Sequence, residues 1–354
     1  MTYEDLGYTD QLENYRQQEG LDAFEIGRVI KEHKERYIVK TIEKEFDSEV
    51  IGKLRYTANS QADFPAVGDW VAFSEYNDNN GLIHAILPRK TILERQAVGK
   101  QGEKQIIATN IDYAFIVQAV DRDFNINRIE RYLTICYSSD VKPVVVLNKI
   151  DLISDKELKT LVGEVQDRIK DVPIFTISNE TQEGIKKIKS SIIYGKTYCL
   201  LGSSGVGKST LSNLLSNKEV MKTSTISTST NKGKHTTSHR ELLIIENGGV
   251  IIDNPGIREV GIADSSEGIE TTFGAISQLA KECKFKDCAH TNEVDCAVIS
   301  AVESGELDKS LYDNYLRMER EKNHYESTVA ERRKKGKELN RIIKDMKSHH
   351  SKYR

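Results

Sequence analysis

Cysteine is scarce and so are long apolar runs: the 354 residues hold five cysteines, and hydrophobic residues make up 38% of the chain. Three of the five cysteines (Cys283, Cys288, Cys296) fall in one short segment, while Cys136 and Cys199 sit inside apolar runs and read as core. That distribution suits a reducing compartment with a metal site better than a disulfide framework. No stretch is apolar enough to cross a bilayer, and the polar, acidic first twenty residues offer no signal peptide. A cytoplasmic location without a membrane partner is expected. Charged residues at 30% alongside that apolar content also exclude a wholly disordered chain.

Net charge of one sign is nearly absent too, at −3, but its distribution is uneven. Residues 332–354 carry ten Lys or Arg against Glu338 and Asp345, a local +8 that leaves about −11 for the rest. A basic tail on an acidic body can bind polyanions locally, because phosphate contacts are short-ranged at physiological salt.

The hydrophobic pattern changes three times along the chain. Residues 1–23 form a polar extension, helical in part. From 24 to 100, short β runs (Phe24–Ile30, Tyr37–Ile42, Glu49–Arg55, Asp69–Ser74, Gly81–Leu87) are separated by turn-formers such as Asn77-Asp78-Asn79-Asn80-Gly81. Five short strands over some seventy residues predict an OB-fold barrel, a fold that commonly binds RNA. From 105 to 262, buried strands alternate with amphipathic helices, the pattern of a doubly wound α/β domain with ligands at the carboxyl ends of its strands. From 263 to 354 the chain is largely helical around the cysteine cluster and ends in the basic tail.

The α/β stretch carries every motif of a guanine-nucleotide site in rotated order. Gly202-Ser203-Ser204-Gly205-Val206-Gly207-Lys208-Ser209, followed by Thr210, lies between an apolar strand and a helical run, the context a phosphate loop requires. Its glycines let backbone N–H groups cradle phosphate oxygens; Lys208 would neutralise them and the Ser209 hydroxyl would ligate Mg²⁺. Asn148-Lys149-Ile150-Asp151 ends another strand, where the Asp151 carboxylate can accept from N1–H and the amino group of guanine. Adenine has neither donor and would leave the acid unpaired at about 1–3 kcal/mol, so GTP is expected rather than ATP. Ser178 and Asn179 would complete the base pocket.

Asp253-Asn254-Pro255-Gly256 supplies an aspartate for Mg²⁺ and an N–H for the γ-phosphate, and Thr236 or Thr237 would add a further Mg²⁺ ligand. Many GTPases follow that glycine with a glutamine that orients water; here Ile257 cannot. His235, beside Thr236, is the best remaining candidate for the catalytic role, with His239 second. Since the base-reading motif precedes the phosphate loop, a circularly permuted P-loop GTPase domain is predicted.

Cys283-x4-Cys288-x-His290-x5-Cys296 offers three thiolates and an imidazole within fourteen residues. This is a closed Cys3His set, the pattern of one structural zinc ion with no open position.

Together these residues, with Val67-Gly68-Asp69-Trp70-Val71 in the barrel and Gly233-Lys234-His235-Thr236-Thr237, resemble the RsgA (YjeQ/YloQ) family of circularly permuted bacterial GTPases. The resemblance covers roughly residues 24–300. It implies an enzyme that hydrolyses GTP to GDP during late maturation of the small ribosomal subunit, stimulated by that subunit. Barrel, GTPase domain and zinc domain would contact the subunit and its rRNA, and the family's switch histidine maps onto His235. Where the family usually has Glu-Pro before the last cysteine, Glu293 is followed here by Val294 and Asp295. Nothing suggests an obligate oligomer, so a monomer is expected. Two alternatives are a nucleotide-gated rRNA-binding module with little hydrolysis, which Ile257 keeps open, and a permuted GTPase of another ribosome assembly step.

Overall fold

Five strands close a barrel at the N-terminal end: β1 (Glu25–His33), β2 (Arg36–Lys40), β3 (Glu45–Val50), β4 (Trp70–Tyr76) and β5 (Asn80–Ile86). The computed structural model describes residues 1–33, 35–96, 104–121, 124–216, 241–245, 248–253 and 265–324, with 331 and 334. The barrel order is β1-β2-β3-β5-β4, closed by β4 pairing back to β1. Only the β3–β5 pair is parallel. Alternating residues fill the interior, among them Val29, Val39, Phe46, Val71, Phe73 and Ile83. The run Glu49–Arg55 is not a strand as its apolar content predicts. β3 ends at Val50, and Gly52–Thr57 forms a short helix, α1. Gly52 interrupts the alternation, and in Lys53-Leu54-Arg55-Tyr56 only Leu54 packs on the barrel core, while Tyr56 is 92% exposed.

A hairpin of β6 (Ile92–Gln96) and β7 (Lys104–Thr109) leads from the barrel into a second sheet. That sheet contains β8 (Tyr113–Ala119), β9 (Lys142–Asn148), β10 (Ile174–Ile177), β11 (Thr197–Leu201), β12 (Glu241–Ile244) and β13 (Val250–Asp253). Its order is β10-β9-β8-β11-β13-β12, parallel except for β12 against β13. Successive residues face opposite cores, as a doubly covered sheet requires. Ala114, Ile116, Val145 and Leu147 belong to one apolar cluster, and Phe115, Val117, Val144 and Val146 to the other. Helices α2 (Ile126–Tyr137), α3 (Asp155–Arg168), α4 (Ile185–Ser191) and α5 (Lys208–Ser216) cover it. Chain order and spatial order disagree: β9 and β10 separate β8 from β11 in the chain, yet β11 pairs directly with β8 in the sheet. After β13 come α6 (Ser266–Thr272), α7 (Gly274–Ala280), α8 (Ala297–Ser304) and further helical turns over 309–324. They surround a small core of Ile269, Phe273, Ile276, Val298, Leu307 and Met318. Among the described residues no helix is long and apolar enough to cross a membrane.

Two joints between barrel and α/β sheet were not legible in the sequence. β12 pairs with β1 at Lys31 and Glu241, so both units share one hydrogen-bonded sheet. The second joint is Arg28, 1% exposed. Its guanidinium donates to the carbonyls of Leu6, Gly68 and Asn110, thus tying the N-terminal extension, the barrel and the α/β domain together. Burial pushes its pKa down to about 10, partly offset by Asp112 and Asp69, so it stays charged at neutral pH. The extension itself, helical at Asp10–Gln18, is less detached than its polarity implies. Leu6 is fully buried, and the Tyr8 ring meets Trp70 edge-on at 4.8 Å.

Arg28→Leu removes a donor from the carbonyls of Leu6, Gly68 and Asn110, of which Gly68 O keeps Asn110 Nδ2 at 3.0 Å, and costs about 1–3 kcal/mol for each oxygen left unpaired. The expected result is a loss of about 3 kcal/mol or more in barrel stability. Trp70, the single tryptophan, makes this a fluorescence measurement: the urea midpoint of its unfolding transition should fall markedly.

Candidate nucleotide site and metal centre

Parallel strands bring the predicted motifs to one edge. β9 ends at Asn148, β10 at Ile177 beside Ser178, β11 at Leu201 before the 202–207 loop, and β13 at Asp253. In an open α/β sheet this carboxyl edge is where a ligand sits.

The loop after β11 requires its glycines. Gly202, Gly205 and Gly207 have φ of 143°, 84° and 97°, a region that side chains disfavour. A Cβ at Gly202 would lie 2.3 Å from the Val117 carbonyl oxygen. One at Gly207 would lie 2.3 Å and 2.6 Å from the amide nitrogens of Asn148 and Asn179. Those asparagines bind the loop from below: Asn148 Nδ2 donates to Val206 O at 2.7 Å, and Asn179 Nδ2 to Gly207 O at 2.9 Å. With successive carbonyls held from one side, the loop's N–H groups can face the other, as an anion nest requires. Lys208 opens α5, and its Nζ donates to Gly202 O at 2.8 Å and Ser203 O at 2.6 Å. Ser209 and Thr210 follow in the first helical turn, where the helix dipole is positive.

The base-reading residues form one network. Asn148 Oδ1 accepts from the backbone N–H of Lys149 at 2.8 Å and of Asn179 at 3.2 Å. The buried Ser178 hydroxyl donates to Asp151 Oδ1 and accepts from the Thr181 N–H at 3.0 Å, so the carboxylate is aimed by a second strand end. Lys149, at φ 66°, places its ammonium 2.9 Å from Asp121 after β8. The structure thus joins the strand ends that carry Asn148–Asp151 and Ser178 to the 202–207 loop, through Asn148 and Asn179. Asp253 is described through its backbone alone, at the end of β13. His235, Thr236, Thr237, His239, Gly256 and the basic tail apart from Lys334 lie outside the described residues.

One contact was invisible to motif reasoning. Asn179 was expected beside the base, but its bond to the phosphate loop crosses 28 residues of sequence. Tyr132 reads as one more apolar position on the buried face of α2, and it is buried there. Burial raises the Tyr132 pKa, so the phenol stays neutral.

The metal centre is compact. The ligand atoms of Cys283, Cys288, His290 and Cys296 all lie within 4.8 Å of one another. Cys283 Sγ to Cys296 Sγ is 3.8 Å, and His290 Nδ1 lies 3.6 Å and 3.4 Å from those sulfurs. A tetrahedral zinc with ordinary bond lengths would put S···S edges near about 3.8 Å and S···N edges near about 3.5 Å. The donor set therefore fits a tetrahedral ion of that size. His290 is in the left-handed region at φ 56°, which turns its ring inward; burial lowers its pKa and favours the neutral, ligating imidazole. Glu293 organises the turn that lacks proline: its carboxylate accepts from the N–H groups of Ala289, Thr291 and Asn292, which lower its pKa to about 2.

Against known proteins, a family model described as RsgA GTPase matches residues 86–263. An ABC transporter model matches residues 185–351, a span that holds the phosphate loop but omits Asn148–Asp151 and covers under half the chain. The small ribosomal subunit biogenesis GTPase RsgA 1 of Bacteroides thetaiotaomicron is 38% identical over 345 residues, covering 96% of this chain and 95% of that protein. RsgA 2 of Lactiplantibacillus plantarum is 45% identical over 296 residues, covering 84% and 83%. Among solved structures, YjeQ from Thermotoga maritima aligns with a TM-score of 0.62 at 28% identity, covering 83% of this chain and 96% of that one. YloQ, described as a circularly permuted GTPase, shares the fold with a TM-score of 0.59 at 24% identity, covering 88% and 96%. Likeness along nearly the whole chain, together with the strand order and the rotated motifs, means that this chain belongs to the RsgA GTPase family.

Proposed function

We propose that this GTPase acts on the small ribosomal subunit late in its maturation, in the cytoplasm and as a monomer. In this reading it hydrolyses GTP when bound there and leaves in the GDP state. The observation that supports it best is the union of a guanine-reading loop with a phosphate loop through Asn148 and Asn179. Relatives named for small-subunit biogenesis cover almost all of the chain.

In this reading Asp151, aimed by Ser178, accepts from the guanine edge, with Asn148 and Lys149 completing that pocket. The N–H groups of Gly202–Thr210 and the Lys208 ammonium hold the phosphates; the Gly256 N–H meets the γ-phosphate. Ser209, Asp253 and Thr236 or Thr237 would hold Mg²⁺, which when bound neutralises charge on the phosphate oxygens. His235 orients the attacking water. Its oxygen bonds to the γ-phosphorus as the bond to the bridging oxygen breaks, giving GDP and phosphate. The barrel (24–100), the GTPase domain (105–262) and the cysteine module with its basic tail (263–354) would all contact the subunit and its rRNA. The Cys3His centre would hold one structural zinc ion.

Hydrolysis by the purified protein should be slow alone and rise at least about 100-fold with small ribosomal subunits, by analogy with partner-stimulated GTPases, while large subunits leave it unchanged. His235→Ala should abolish that rise yet leave GTP affinity within about two-fold, because removing a water-orienting group spares ground-state binding. A rate indifferent to both subunits would instead favour a gated binding module, the reading that Ile257 keeps open.

Elemental analysis should find one zinc ion per chain. Cys296→Ser should lose it, because Cys296 is both a ligand and 4% exposed in the small helical core. Retention of stoichiometric zinc by that variant would count against the assignment.

A further inference from the structure

Asp308 caps the helical turns over 309–324, its carboxylate accepting from the Leu311 N–H at 2.7 Å. These turns present two working faces. Ser310, Asn314 and Glu321, spaced by four and seven residues, share one stripe. Tyr312, two residues from both Ser310 and Asn314, lies roughly 200° around the axis from each. The stripe meets the GTPase domain. Asn314 Nδ2 donates to the carboxylate of Glu130 on α2, a residue 1% exposed. Ser310 accepts from Arg168 of α3 at 3.0 Å, Arg168 donates to Glu130 at 2.6 Å, and Glu321 pairs with Arg131. The module docks beside this stripe as well: the Thr134 hydroxyl of α2 donates to that of Thr272 on α6 at 3.0 Å. The opposite side of the turns meets the metal centre. There the Tyr312 hydroxyl donates to the carbonyl of His290 at 2.6 Å, and the Tyr315 ring lies 6.3 Å from the imidazole.

We infer that the 309–324 turns are a strap that makes docking of the cysteine module and retention of its metal ion one event, with Tyr312 as the residue that positions His290. His290 holds a left-handed backbone, φ 56°, that residues other than glycine rarely adopt. That conformation brings its Nδ1 to 3.6 Å and 3.4 Å from the sulfurs of Cys283 and Cys296, so a backbone that relaxes withdraws the ligand. Tyr312 pins the carbonyl of the same residue. The pin is only as firm as the helix behind it, and Asn314 and Ser310 fix that helix about its axis from the far side. Their hydrogen bonds are directional, so a helix turned about its axis loses them. Undocking therefore frees the Tyr312 hydroxyl to move and loosens His290. Loss of the ion frees His290, and with it the rotation that docking must restrain. By reciprocity each event favours the other by the same amount. This rests on the proposed reading of the cluster as a zinc site, but on nothing about the partner.

The test is release of zinc from the full-length, zinc-loaded protein to an excess of a chromogenic chelator. Tyr312→Phe, which removes only the hydroxyl, should speed release about five-fold, the lower end of ordinary couplings between sites. Asn314→Leu, on the face turned toward Glu130, should do so to a similar extent. Added to Tyr312→Phe it should change release by less than about two-fold, because both act through one strap. Ser310→Ala, a smaller change on the same face, should act in the same direction and guards against a variant that fails to fold. With cobalt in place of zinc, Tyr312→Phe should shift the ligand-field bands, which report how His290 sits; a change that only softened the module would leave them in place. Zinc held equally well by all three variants, or effects of Tyr312→Phe and Asn314→Leu that multiply, would overturn the strap alone. Unshifted cobalt bands would remove Tyr312 as the residue that positions His290. A protein that takes up no zinc would overturn the metal reading and the strap with it.

Discussion

The nucleotide edge depends on the absence of a side chain at Gly207. Two asparagine amides occupy the space a Cβ would need, and each donates to a neighbouring carbonyl of the loop. Without that approach, the base-reading strand ends and the phosphate loop would be separate pieces, and the N–H groups of the loop would lose the constraint that turns them toward an anion. The contact is spatial. It needs the ends of β9, β10 and β11 on one edge but is indifferent to which strand comes first in the chain. This is the physical reason a GTPase sheet tolerates permutation: hydrogen bonds between strands and the two amide ties survive any reordering of the connections.

Permutation does change what the domain's ends are tied to. The barrel enters through β6 and β7, while β13 leads on toward α6. The sheet adds a tie of its own, because β12 pairs with β1 of the barrel. β12 begins a few residues after Thr237 in the sequence, so the barrel grips the strand that follows the His235 segment. With Arg28 binding the extension, the barrel and Asn110 together, barrel and α/β sheet share both backbone ladder and buried charge. A buried guanidinium is costly unless its donors are used, and here they are used across three segments, which favours one relative placement.

What the sequence disclosed followed from how local each signal is. Motifs such as Asn148–Asp151, Gly202–Ser209 and Cys283–Cys296 are short because their chemistry is local; the first two fall at strand ends and the third between two helices. Strands with strong alternation or buried runs were found nearly to their ends. Glu49–Arg55 failed because Gly52 ends the strand and a single apolar residue, Leu54, serves a helix as well as it serves a strand. The β12–β1 pairing, the role of Arg28 and the tie of Asn179 to the phosphate loop were hidden for the opposite reason. Each joins residues far apart in the chain, and an isolated Arg or Asn carries no periodicity that a pattern could report.

A metal ion at the cysteine cluster would have a mechanical purpose. Residues 265–324 bury a small core around Ile269, Phe273, Ile276, Val298, Leu307 and Met318, and a unit of this size gains little from its core alone. Cys296 belongs to that core while its sulfur faces Cys283 and His290, so an ion there would staple the loop directly to the packed helices. Glu293 supplies by three N–H contacts the turn that a proline would otherwise fix. A module stapled in this way would keep its contacts with Glu130 and Thr134 of α2 in register, whereas a soft one would not.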